Sequence, residues 1–536
     1  MSRRDDGGTH SVAATSGSAQ PSAQSPSAAP NAATPESTDY GWPGIINAGI
    51  QTIASAIPLP QKYRAVLPIP QQLTPRATAD TDYYSIVQTA AQVEIVPGYR
   101  TPIWGYNGTF PGPTIVSTSG RRTVVTHRNE LPVPTVVHLH GGRTPTSDDG
   151  YPTDYVLPAG MTKAPVPSTA EMPGMAPVPD AAAQVSHLTR DYVYPLQQGA
   201  ATLWYHDHRL DFTGPSVYRG LAGFHIVHDA QEQALPLPKG KYDVPLMICD
   251  RAFNSDGSFS YPALDPSMTT PGVEGPATNG VMGDVILVNG APWPSMTVDS
   301  VRYRFRILNA SNARSYHLVL QSGSQTLPIT QVGSDGGLLA APVTRDYLII
   351  SPAERYDVVL NFGGLPVGST LTLANLAATD STAWVMQFEV GHTVKDTSSI
   401  PAKLSTITPI DPKTVTTRRT MQFKRGAQAV WQINGHAFDP NVSEATVTAG
   451  STEIWTITSD FHHPVHLHLV PMQVLTRNGA APGPFDVGWK DTVVLGPNDQ
   501  VEVGIRFDGY PGRYLLHCHI LEHEDMAMMA NFTVVS

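Results

Sequence analysis

The chain has 536 residues and a formal net charge of −11, with 41% hydrophobic and 15% charged residues. At roughly 150 residues per domain that is room for three or four domains, and 45 glycines with 49 prolines are more turn-formers than a helical bundle tolerates. The acidic balance and the lack of a Lys/Arg cluster argue against nucleic acid as a partner. No apolar run approaches the ~18 residues of a membrane span, and two cysteines, Cys249 and Cys518, allow at most one disulfide.

Residues 1–40 are mostly Ser, Ala, Pro, Gly and Thr, a composition that cannot offset its ordering entropy, so a disordered tail is expected. Arg3-Arg4 invites comparison with a twin-arginine export signal, but Asp5-Asp6-Gly7-Gly8 stands where an apolar stretch is needed. The cytoplasm is therefore the expected address, with a spore coat or export as alternatives. Residues 41–75 are punctuated by proline and are expected to drape over the first domain, so that 1–75 form a tail and an extended arm. From about 76 onward the pattern is strands. A Pro-rich, nearly uncharged stretch from Lys163 to Ala183 interrupts them as a long surface loop. Further on, Tyr303-Arg-Phe-Arg-Ile-Leu308 partly alternates and Tyr356-Asp-Val-Val-Leu-Asn-Phe362 reads as a buried strand.

An internal repeat organises these strands. Asn107-Gly108, Asn289-Gly290 and Asn434-Gly435 each lead into a β-rich run that ends near Asn129, Asn309 and Ser459. Three tandem β-sandwich domains follow, over 76–235, 236–395 and 396–536. The first and third share a second likeness, Leu203-Trp-Tyr-His-Asp-His208 with Tyr514-Leu-Leu-His-Cys-His519. The middle copy has no such triplet and reads as a spacer, which places function between the outer domains.

Four triplets concentrate the chemistry: His138-Leu-His140, His206-Asp-His208, His466-Leu-His468 and His517-Cys-His519. Residues i and i+2 of a strand share a face, so each triplet offers two imidazoles to one side. Imidazole suits Cu, Zn, Fe and Ni. Eight histidines exceed the needs of one ion, which implies a cluster of more than one metal. One satisfied core histidine would be unremarkable; four triplets split evenly between two repeats are not. The same alternation points the Cys518 sulfur away from the partners of His517 and His519. His463, at an odd offset from His466, favours that opposite side. His523 and Met526, Met528 and Met529 follow closely, and two His, one Cys and a weak axial Met make a blue-copper site.

With these residues in hand, the chain resembles the three-domain multicopper oxidases, and within them the bacterial spore-coat laccase, bilirubin oxidase and phenoxazinone synthase branch. The resemblance spans about 76–536. Trp104-Gly-Tyr-Asn-Gly-Thr-Phe-Pro-Gly-Pro-Thr-Ile115, Gly333-Ser-Asp-Gly-Gly-Leu-Leu339, Pro352-Ala-Glu-Arg-Tyr-Asp357 and His517-Cys-His-Ile-Leu-Glu-His-Glu-Asp525 support it. It implies an all-β fold of three tandem cupredoxin-like Greek-key sandwiches and four coppers per chain. It assigns His463, Cys518, His523 and axial Met528 to a type 1 copper, with a ligand histidine near the surface as the entry point for reductants, and His138 and His466 to the type 2 copper. His140, His206, His208, His468, His517 and His519 would hold the type 3 pair. Asp149 and Glu524 match family positions for proton donors. The implied reaction is one-electron oxidation of phenols, aminophenols, aromatic amines or bilirubin, coupled to four-electron reduction of O2 to water.

Two features depart from the family pattern. The stretch from Leu475 to Gly488 is shorter than in the spore-coat enzymes, which bears on the substrate pocket, and Cys249 lacks a partner for the disulfide of some relatives. A Cu(I) or Mn(II) oxidase is the main alternative, with Met161, Met172 and Met175 as a thin version of a Met-rich approach. A copper-storage or electron-transfer protein and an incidentally copper-bound coat protein are the others.

Overall fold

The computed structural model describes residues 46–165, 178–426 and 430–536. The predicted tail and most of the 163–183 loop lie outside the described residues. Three two-sheet sandwiches follow one another along the chain, each with its own buried apolar core. The Asn-Gly pairs make the same turn three times: φ is 55° and 68° at Asn107 and Gly108, 49° and 83° at Asn289 and Gly290, and 54° and 85° at Asn434 and Gly435. Two consecutive positive φ values are what a type I′ turn requires, and Asn-Gly meets them at least cost. Each asparagine then accepts one backbone N–H through Oδ1, from Val87, Met247 and Gln422 at 2.8, 2.8 and 2.9 Å. The repeat is thus one structural device used in all three sandwiches.

In each sandwich a longer strand earlier than this turn runs parallel to the one ending the repeat: Thr81–Val93 with Arg122–Asn129, Asp243–Arg251 with Arg302–Asn309, and Arg418–Arg425 with Thr452–Ser459. The second sheet positions the site. Its order in the first sandwich is Ile115–Thr118, Ala222–His228, Ala201–Asp207, Val137–His140. In the third it is Ser443–Thr448, Met529–Val535, Gly512–Cys518, His463–Leu467, Thr492–Leu495. The histidine strands occupy equivalent places in both. Such alternating connections are the Greek-key arrangement that lets two sheets close over one core.

The arm departs from expectation. Thr52–Ile53 pairs in parallel with Met282–Gly283, Val66 bridges Ser295, and Tyr63 N donates to the Trp293 carbonyl at 2.7 Å, all on the middle sandwich. At Gln71 and Gln72, opposite Thr114, the arm reaches the first sandwich, where Leu73 packs. Proline spacing announces an extended segment but not its address. Ile57 and Leu67 decide that, by entering the middle core.

Candidate metal centres

The register of the histidine strands sorts their side chains. His206 lies directly opposite His138, and His517 directly opposite His466, so in each sandwich these rings share a face. The two faces meet. His138 stacks on His468 with ring centroids 3.9 Å apart and His140 on His466 at 3.6 Å, while His208 faces His517 at 5.0 Å and His206 faces His519 at 5.4 Å. Each first-sandwich ring therefore has a partner from the third, and all eight are buried.

Outer hydrogen bonds fix which ring nitrogen points inward. The Nδ1 atoms of His138, His206, His466 and His517 lie 2.5–2.9 Å from the carbonyls of Asp149, Asp207, Asp491 and Cys518. His468 Nδ1 lies 2.7 Å from Asp149 Oδ2. Such contacts set the tautomer and leave Nε2 free to ligate. His468 Nε2 and His517 Nε2 stand 3.2 Å apart. His140 is reversed: its Nε2 lies 3.1 Å from Asp491 Oδ1 and its Nδ1 has no partner. The Nε2 atoms of His138, His206, His208 and His466, and both ring nitrogens of His519, are buried without a hydrogen bond. Buried polar groups are normally satisfied, so this concentration of orphaned nitrogens fits ligands turned toward metal. Three groups of ligand atoms, His138/His140/His206, His138/His466/His468 and His208/His468/His517, each lie within 4.8 Å of one another. Burial also pushes the His206 imidazole down to about 4, and those of His138, His140, His208, His466, His468 and His519 well below their ordinary value. The rings stay neutral, the ligating form.

Cys518 belongs to a separate group. It lies opposite Val465 in the register, on the face that points into the third core, and His463 shares that face by the same parity. His463 Nδ1, His523 Nδ1 and Cys518 Sγ form a triangle with sides of 3.2, 3.3 and 3.5 Å. Its centre is about 1.9 Å from each corner, close to the ~2.0–2.3 Å of first-row metal bonds to imidazole and thiolate. Burial pushes the Cys518 thiol well above its ordinary value, so a coordinated cation is what makes the thiolate accessible there. Met528 is fully buried beside it, its N–H donating to the His523 carbonyl at 3.0 Å and its carbonyl accepting from Cys518 N at 3.2 Å.

His523 does not itself reach solvent. Its ring is fully buried, and the Trp431 indole lies over it with centroids 3.8 Å apart. Trp431 is itself held by an Nε1–H bond to the Thr278 carbonyl at 2.9 Å. A tryptophan far away in sequence can cover a ring in this way, and no local spacing announces it.

The two acids are reciprocal. Asp149, from the first sandwich, reaches His468 of the third, and Thr144 Oγ1 donates to its Oδ1 at 3.2 Å. Glu524, from the third, lies with Oε1 3.1 Å from His208 Nδ1 and Oε2 3.2 Å from His517 Nδ1, and Thr213 Oγ1 donates to it. Burial pushes the Asp149 carboxyl up to about 6. Asp491 is the residue that sequence reasoning missed. It touches His140 and groups with His140 and His466, but no spacing links 491 to 140.

Models of the multicopper oxidase family match residues 88–166 and 164–232, 260–382, and 408–536. The chain is 36% identical over 530 residues to a laccase of Bacillus subtilis, covering 88% of this chain and 98% of that one. It is 34% identical to a bilirubin oxidase of Albifimbria verrucaria, over 90% of this chain and 82% of that one. A solved laccase structure from Pediococcus acidilactici superposes with a TM-score of 0.75 at 30% identity, over 90% of this chain and 96% of that one. The chain belongs to the multicopper oxidase family. Copper is its cofactor, divided into one type 1, one type 2 and a type 3 pair, and O2 with a reductant are its substrates. Within the family it is a laccase-like oxidase. Among the described residues no helix is long and apolar enough to cross a membrane.

Proposed function

We propose that His463, Cys518, His523 and axial Met528 hold the type 1 copper, His138 and His466 the type 2 copper, and His140, His206, His208, His468, His517 and His519 the type 3 pair. The observation that carries this is the separation of Cys518 from its neighbours. One face of the strand Gly512–Cys518 supplies the thiolate to one triangle, while His517 on its other face and His519 just past its end join the eight-ring cluster. Copper held in these places supplies one-electron oxidation of a donor and four-electron reduction of O2 to water. The peptide bonds from Cys518 to His517 and His519 connect the two groups covalently. Asp149 and Glu524 serve as proton donors, since each presents a buried carboxyl group to rings from both sandwiches. The domains are 76–235, 236–395 and 396–536, in accord with the positions of the sheets.

The reductant is a small aromatic: a phenol, aminophenol, aromatic amine or bilirubin. Likeness to a laccase and a bilirubin oxidase supports this. Of the methionines that could have favoured a metal-ion donor, Met161 packs against Val136, Tyr155 and Leu157, a cluster without His463, Cys518 or His523. Met172 and Met175 lie outside the described residues. Loading with copper is expected to give intense blue absorption, about four coppers per chain, and O2 uptake with a phenolic donor. Fast oxidation of Cu(I) or Mn(II) with near-zero phenol turnover replaces the aromatic assignment. Two buried, unpaired cysteines need no oxidising compartment, which supports a cytoplasmic address; cell fractionation tests it.

A further inference from the structure

The middle sandwich carries no histidine triplet, yet two of its motifs end at the eight-ring cluster. Arg355, which opens the strand Arg355–Asn361, is fully buried and has all five guanidinium N–H donors taken. Nε donates to the Thr202 carbonyl at 2.9 Å. Nη1 donates to the Ala353 carbonyl at 2.9 Å and to Asp491 Oδ1 at 2.7 Å. Nη2 donates to the Asp335 carbonyl at 3.1 Å and to Asp491 Oδ2. Thr202 lies in the first-sandwich strand that carries His206, Asp335 and Ala353 in the middle sandwich, and Asp491 in the third. One planar group therefore ties three sandwiches at a single point.

Asp491 extends this grip to the rings. Its Oδ1 lies 3.1 Å from His140 Nε2 and its carbonyl 2.8 Å from His466 Nδ1, and those two rings are stacked across the interface. Asp335 braces the arrangement, accepting from Arg355 N at 2.8 Å, Asp491 N at 3.2 Å and Thr492 N at 3.3 Å, with Lys490 Nζ at 3.2 Å. The fit is close. Gly141, next to His140, has φ +83°, and a Cβ there would lie 2.8 Å from both Arg355 Nη2 and Asp491 Oδ2.

We propose that Arg355 is a positioning residue for the trinuclear copper site, acting through Asp491 to hold His140 reversed, Nδ1 inward, and in register with His466. The copper-free sandwich is then a component of the site rather than a spacer. Lysine is not a substitute, because a point charge lacks the fork that fixes both carboxylate oxygens. The inference rests on the ligand assignment proposed above.

R355K and D491N, in the full chain loaded with copper, test it. Copper content, blue absorption, the type 2 EPR signal and O2 uptake are measured together. Both variants are expected to keep the blue absorption, since among the described residues His463, Cys518 and His523 share no hydrogen bond with Arg355 or Asp491. Both should lose or shift the type 2 signal, and copper retention or O2 uptake should fall about 10- to 100-fold. R304Q, which removes an equally buried charge that touches no copper-site histidine, is expected to lower the melting temperature and leave the type 2 signal unchanged. A folded R355K or D491N with full copper and a wild-type type 2 signal overturns the inference, as does an R304Q that shifts the signal as much. Should R355K not fold, the near-isosteric D491N decides. A wild-type chain without a type 2 signal overturns the ligand assignment itself, and this inference with it.

Discussion

Cys518 is flanked in sequence by two histidines and has two more, His463 and His523, within 3.5 Å of its sulfur, yet the two pairs lie on opposite sides of the strand that ends at Cys518. Met528, fully buried and hydrogen-bonded through its backbone to Cys518 and His523, is assigned the weak axial position. M528L is expected to keep the blue absorption and raise the type 1 reduction potential, because the oxidised ion loses a donor; redox titration reads it directly. A second expectation concerns the acids. D149N and E524Q preserve shape and hydrogen-bonding size but cannot deliver the same proton. Each should lower O2 uptake about 100-fold or more with blue absorption intact. Equal losses of copper and activity would instead mark them as structural.

The short helix Thr213–Arg219 starts at Phe212, which offers no capping side chain. Asp525 of the third sandwich supplies the cap from outside, accepting from Thr213 N at 2.7 Å and Gly214 N at 2.8 Å. A carboxylate at the head of a helix satisfies orphaned N–H groups and meets the positive end of the dipole. D525A should cost about 1 kcal/mol, the usual worth of such a cap, read as a lower midpoint in denaturant. Because the helix and its cap belong to different sandwiches, the loss should also weaken their docking.

Across the molecule, the first and middle sandwiches meet over a buried charge network. Arg304 contacts Glu232 and Asp357, and Arg306 contacts Asp243 at 2.8 Å and Thr202 at 3.0 Å. Burial works against the Glu232 and Asp357 charges. At Glu232 the His228 hydrogen bond with Arg304 and Arg306, and at Asp357 the two arginines, outweigh it and hold both carboxyls below their ordinary range. A depressed carboxyl contributes stability above its unfolded value, here 4.5 for Glu232 and 3.8 for Asp357, and loses it as pH falls. The melting temperature should therefore drop on acidification below about pH 4.5. R304M should cost about 3–5 kcal/mol at neutral pH and flatten that acid dependence. A wild-type melting temperature unchanged from pH 7 to pH 4 contradicts the network's role.

Much of this was legible in the residues themselves. Period-two spacing placed eight imidazoles on shared faces and turned Cys518 away from them, because alternation is a local property of a strand. The Asn-Gly turns gave the threefold repeat, since positive φ is a local demand that few residue pairs meet. Composition argued against a helical bundle, the strand pattern pointed to an all-β class, and the motifs set the family. What only the tertiary structure decided is which separate pieces touch. The arm settles on the middle sandwich, Trp431 covers His523, and Arg355 reaches Asp491, 136 residues away in the chain. Such contacts depend on how the sandwiches dock, and docking is fixed by shape and buried charge summed over whole faces. No spacing in the chain encodes that sum, so the spacer reading of the middle domain, natural from its missing triplets, could be questioned only once the three were seen together.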